Sequence, residues 1–125
     1  MRITIETVKH SGQRYETVGD YGGRFPYNFW IKVSRMKDWR HCFLVALHEM
    51  VEFSLCYHRG IKNRDITTFD KRFEALREPG NVEEPGNAPD CPYRAEHAFA
   101  TRLERLMAKE LGVDWAVYDR TVNDL

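Results

Sequence analysis

Polar and apolar positions alternate along residues 2–9 (RITIETVK), with Ile3, Ile5 and then Val8 on the apolar side. Alternation of this kind predicts a half-buried strand. His10-Ser11-Gly12-Gln13 supplies turn chemistry, so Arg14–Val18 is the expected return strand of a hairpin. Gly19, Gly22, Gly23 and Pro26 then interrupt regular structure. Residues 28–34 (NFWIKVS) are aromatic and β-branched, which predicts a third strand with Trp30 packed toward the core.

From Asp38 the period lengthens. Asp38 is a good N-cap and Gly60 a good stop, predicting a helix that ends near His58. At about 100° per residue, Phe43, Leu44, Leu47, Met50, Val51, Ser54 and Leu55 form one apolar face. His41, Val45, His48, Glu49, Glu52, Cys56 and Arg59 fall opposite. Thr67 and Asp70 suggest an approximate capping box for a short helix over 68–77. Residues 78–92, with Glu-Pro-Gly-Asn at 78–81 and again at 84–87, predict a long loop of the kind that forms a lid or a mobile connection. A third helix is expected from Asp90 or Pro92 to Gly112, with Phe99, Leu103, Leu106 and Met107 on its apolar face. The tail, with Trp115, Val117, Tyr118 and Val122, can dock onto the body. These elements predict one α+β domain over 1–125, its hairpin and third strand packed against about three helices.

Composition narrows the classes of function. The 125 residues are 42% hydrophobic and 13% aromatic, which suits a folded domain with one core. Nineteen basic residues balance nineteen acidic ones, so no global field favours nucleic acid or an anionic membrane. The opening Met1-Arg2-Ile3-Thr4 enters the strand pattern without the apolar region of a secretion signal. Cys42, Cys56 and Cys91 are odd in number and lack CxxC spacing, which argues against a disulfide framework. A reduced, cytoplasmic protein is the expectation, with its oligomeric state open.

The candidate chemistry lies in LVALHEMVEF, residues 44–53. His48 and Glu52, four apart, share one helical face and can converge on a single ion. Imidazole and carboxylate both ligate zinc and other divalent transition metals. Glu49, next to His48, points to one side of it. On the third predicted helix Glu96 projects within the apolar stripe, where a carboxylate is costly unless paired, protonated or metal-bound. His97 lies about 100° further round. The expected ligands are therefore His48 and Glu52, with Glu96 or His97 completing the set. The alternative for Glu96 is an ion pair with an arginine such as Arg94 or Arg102.

The segment VALHEMVEFSL resembles the active-site helix of zincin metallopeptidases, and the strand NFWIKVS before it matches the order of elements in minimal zincin domains. The resemblance covers about a quarter of the chain. It implies a metal ligand at His48, a general base at Glu49 and a second ligand at Glu52. A third ligand from a later helix, a glutamate in the gluzincin group, would be Glu96. The zincin pattern has a second histidine where this chain has Glu52, a change that weakens acidification of bound water. Most of the chain also resembles small proteins of bacteriophages and prophages, a likeness that names no activity.

Two functions follow as expectations. One is a metal-dependent hydrolase of peptide or amide substrates, or a zincin-like metal-binding domain that has lost activity. The other is a non-catalytic phage accessory protein that binds a host or virion protein. In that reading Glu49 and Glu52 are surface groups pairing with Arg59 or Arg40, and the exposed aromatics Tyr15, Tyr21, Phe25, Tyr27 and Trp39 make the contacts. A two-metal carboxylate oxidase fits less well, because the chain has no ExxH string.

Overall fold

The alternation in NFWIKVS is realised in β3 (Asn28–Ser34): Phe29, Ile31 and Val33 are buried, and Trp30 and Lys32 turn to the opposite face. In the computed structural model, which describes residues 1–125, β3 is the middle of a three-stranded mixed sheet. On one side β1 (Arg2–Val8) runs parallel to it, with Ile5 opposite Ile31. On the other, β2 (Gly19–Arg24) runs antiparallel, with Tyr21 opposite the same Ile31. Strands on helices is thus the architecture, as the α+β pattern predicts.

The expected hairpin between residues 2–9 and 14–18 does not form. A two-residue period identifies a strand without naming its neighbour, and the hairpin is instead β2–β3. Residues 14–18 form the connection, from which Arg14 reaches Asp20 at 2.6 Å. The glycines that suggested irregular chain belong to β2 itself. A Cβ on Gly22 would lie 2.5 Å from the Trp30 indole, and Gly23 has φ of +100°. Trp30 is therefore not a core residue. It lies over Gly22 on the outer face, with Lys32 Nζ 5.0 Å and the Arg14 guanidinium 5.5 Å from its ring centre.

Helix α1 (Trp39–His58) begins where Asp38 predicts, the Asp38 carboxylate accepting from the Arg40 N–H. Helix α2 (Asn63–Ala75) starts well before the expected Thr67 cap, so Asp70 is a buried mid-helix residue. Residues 78–92 hold one short 3-10 turn, Pro85–Asn87, before α3 (Arg94–Glu110). The tail forms α4 (Trp115–Asn123), capped by Asp114, which accepts from Val117 N–H. No helix is long and apolar enough to cross a membrane, and all three cysteines are free.

The core fills the space between the sheet and α1. Tyr21 stacks on Phe53 with ring centres 4.5 Å apart, and Phe29 meets Phe53 edge-on at 5.4 Å. The two faces of α1 do not divide into one buried and one exposed. Leu44, Val45, Phe53 and Cys56 are buried, but so are His41, His48 and Glu52, while Phe43 is 43% exposed. Helix α3 departs further. Its inward face is Glu96, His97, Ala100, Glu104 and Ala108, whereas Leu106 is 63% exposed. Helices α1 and α3 therefore meet through a polar seam, with small alanines letting them approach.

Candidate metal centre

His48 and Glu52 lie one turn apart on α1, and His97 faces them from the start of α3. All three are buried, Glu52 to 5% exposure. His48 Nε2 is 3.1 Å from Glu52 Oε2 and 3.1 Å from His97 Nδ1, and His97 Nδ1 is 2.9 Å from Glu52 Oε2. One atom from each residue thus converges on a common point, an arrangement able to hold a metal ion.

The outer atoms of the same residues are tied elsewhere. His48 Nδ1 is 2.8 Å from Glu104 Oε2, and the other Glu104 oxygen accepts from the Tyr118 hydroxyl on α4. His97 Nε2 lies 2.7 Å from Glu84 Oε2, an ion-pair distance with the angle too bent for a proper hydrogen bond. Glu52 Oε1 accepts from Tyr21 Oη–H at 2.9 Å. A carboxylate facing the outer nitrogen of each imidazole favours the proton there. The inner nitrogens then present lone pairs, and with Glu52 Oε2 three lone pairs meet within 3.1 Å. That point requires positive charge.

Protons can supply it, and the local electrostatics favour them. Burial alone would lower both imidazoles, but Glu104 and Glu52 raise His48 well above its usual range. Glu52 and Glu84 likewise raise His97 to about 9. Burial pushes Glu52 up, yet bonds from the two imidazoles hold it down at about 2. Protonating both inner nitrogens, however, sets two cationic rings against each other at 3.1 Å. A single divalent cation satisfies all three atoms without that repulsion. Two imidazoles and one carboxylate are a donor set that catalytic zinc and non-haem iron sites use with coordination positions left open.

Glu49 lies beside this cluster in a cavity of about 310 Å³, also lined by Tyr15, Asp70 and Glu84. It makes no hydrogen bond to the protein. Although a little of its surface remains exposed, burial first and Glu52 second push its carboxyl well above the usual range. A Cβ on Gly19 would lie 2.5 Å from Glu49 Oε1, so this β2 glycine is what lets the carboxylate lie against the strand. Gly86 does the same for His97, whose ring a Cβ there would strike at 2.2 Å.

Of the residues singled out by sequence, His48, Glu49, Glu52 and His97 come together. Glu96 does not join them. It is buried, as its position predicts, but pairs with Arg59 at 3.1 Å rather than with Arg94, Arg102 or the cluster. That pairing and the Arg40–Asp38 contact leave neither arginine bonded to Glu49 or Glu52. Among the aromatics expected at the surface, Tyr27 and Trp39 are exposed, Tyr21 is buried, and Tyr15 bonds Asp70. Sequence reasoning missed four supporting residues: Glu104, Glu84, Tyr21 and Tyr118. Glu104 had a usable signal, since it falls two turns from His97 on the same side of α3. Glu84, on an irregular loop, had none.

No protein-family model matches the chain, and neither a curated protein nor a solved structure is detectably similar to it.

Proposed function

We propose that the chain is a zincin-like metal-dependent hydrolase of peptide or amide bonds, with His48, Glu52 and His97 holding zinc or another divalent transition metal. The observation that carries this reading is the paired arrangement of the two imidazoles. Each turns one nitrogen to a carboxylate and the other to Glu52 Oε2. Such outer carboxylates fix tautomer and ring orientation in metal sites, and a plain structural histidine pair does not need two of them. Compared with the zincin resemblance, the third ligand is His97 in place of Glu96. A bound divalent ion would supply Lewis-acid polarisation of a carbonyl and acidification of water.

The remaining steps belong to the chain. Glu104 and Glu84 draw the imidazole protons to the outer nitrogens and set the orientation of the rings, and Tyr21 fixes which Glu52 oxygen turns inward. Glu49, free of protein partners and with its proton affinity raised by burial and by Glu52, accepts and returns the proton. The cavity beside it has room for a short peptide segment.

Metal analysis of natively purified protein tests the proposal. About one equivalent of metal per chain is expected, with near-complete loss in His48→Ala and His97→Ala. Glu49→Gln should keep the metal and lose hydrolysis of an amide substrate by about 100-fold or more. Metal content indifferent to both histidine variants removes the proposal.

A further inference from the structure

The sheet ends in β1 on one side and β2 on the other, and no strand of the chain pairs with the outer side of β1. Strand β1, which forms that edge, is seven residues long without proline or a bulge, two of the devices that blunt a free edge, and its only charged side chains are Arg2 and Glu6. Ile3 is 39% and Ile5 51% exposed. Beside them a groove of about 180 Å³ runs between β1 and α1, lined by Ile5, Thr7, Val33, Phe43, Leu47 and Met50. This patch lies on α1 away from the candidate metal centre and is independent of the chemistry proposed there.

The ladder to β3 fixes which backbone groups are free. Arg2 N–H donates to Tyr27 O, and Val8 O accepts from Arg35 N–H, both on the β3 side. Even-numbered residues therefore spend their backbone groups on β3, and Ile3, Ile5 and Thr7 turn N–H and C=O outward. Their side chains share the buried face of Phe29, Ile31 and Val33, their partners in register, so they adjoin the α1 groove. Arg2, Thr4 and Glu6 take the other face.

We propose that β1 is a homodimer edge: two copies pair their β1 strands antiparallel about a two-fold axis at Thr4, joining two three-stranded sheets into one. Charge complementarity selects this occupant and this register. With Thr4 opposite Thr4 of the second copy, Arg2 faces Glu6 and Glu6 faces Arg2, at the non-hydrogen-bonded positions where side chains approach most closely. Ile3 then faces Ile5 at the hydrogen-bonded positions, which are the positions whose backbone groups point outward. Parity, charge and apolar pairing agree on one register. The isoleucines of both copies meet beneath the sheet, continuous with Phe43, Leu47 and Met50, and extend the interface beyond a bare strand pair. The contact is isologous and closes at two copies.

Sedimentation velocity on the full chain tests this. A dimer is expected for the wild type. Arg2→Glu and Glu6→Arg should each raise the dissociation constant roughly ten- to thirtyfold, because each places like charges opposite one another twice. The double variant restores opposite charges and should recover wild-type affinity. Ile5→Pro removes an outward N–H without touching the β3 ladder, and should give a folded monomer by circular dichroism. A wild type that stays monomeric at about 100 µM overturns the proposal. So does a dimer indifferent to the charge swap, or open-ended growth into larger species.

Discussion

At the scale of single residues, several side chains were legible by type but not by partner. Asp70 shows why. Its place after Thr67 suggests a helix cap, yet it is buried within α2, accepting hydrogen bonds from Tyr15 at 3.1 Å and from Tyr93. Burial is the main reason its carboxyl is raised from 3.8 to about 7, with Glu52 adding to the effect. A raised carboxyl favours the folded state only while protonated. Its contribution is complete below about pH 4 and is lost as pH rises through about 7. Asp70→Asn copies the neutral form. The variant should therefore gain about 1–3 kcal/mol over wild type at pH 8, with the gain fading by pH 4. Denaturant melts at the two pH values measure this. A variant destabilised equally at both would mean that the tyrosines stabilise an ionised Asp70.

At the scale of elements, local signals were readable and non-local ones were not. The start of α1 is set by Asp38 acting on a backbone N–H two residues away, and the His48–Glu52 pair by a single turn of the same helix. Both lie within a few residues of sequence. Which strand β3 pairs with, and which face of α3 turns inward, depend on distant parts of the chain. Hydropathy favours burying Leu106, but the seam with α1 admits Ala100, Glu104 and Ala108 because small side chains and paired charges fit there. The irregular loop was readable only as a loop, although the turn Pro85–Asn87 forms one wall of the centre. Gly86→Ala tests that wall. The added methyl meets an aromatic ring of limited freedom, 2.2 Å from His97 Cγ, so the ring must move. Metal affinity should fall by about tenfold or more, measured by competition with a chromophoric chelator, while far-UV circular dichroism is unchanged. Unchanged affinity would show that the loop yields instead of the ring.

At the scale of the whole molecule, an overall charge balance conceals a segregated interior. Glu49, Glu52, Asp70, Glu84 and Glu104 all line one cavity, with His48 and His97 among them. This centre draws on every layer: α1 and α3 supply the inner atoms, β2 contributes Tyr21, the long loop Glu84, and α4 Tyr118. An ion bound there would tie α1, α3, β2, the long loop and α4 to one point, so its removal should be felt by the fold as a unit. Saturating metal at about 1,000 times its dissociation constant is worth about 4 kcal/mol. Chelator treatment should therefore lower Tm by about 10 °C or more in one cooperative transition. The protein should remain folded, because protons can occupy the inner nitrogens in place of the ion. Glu104→Gln separates this from a general effect of chelator. It removes the charge behind His48 while preserving the shape of the side chain, so metal should bind about 10–100-fold more weakly and the chelator-induced drop in Tm should shrink at limiting metal. Calorimetry with and without chelator on both proteins decides the matter: a wild type whose Tm ignores chelator, while metal analysis confirms that the ion has left, would place the stability of this fold in its apolar core alone.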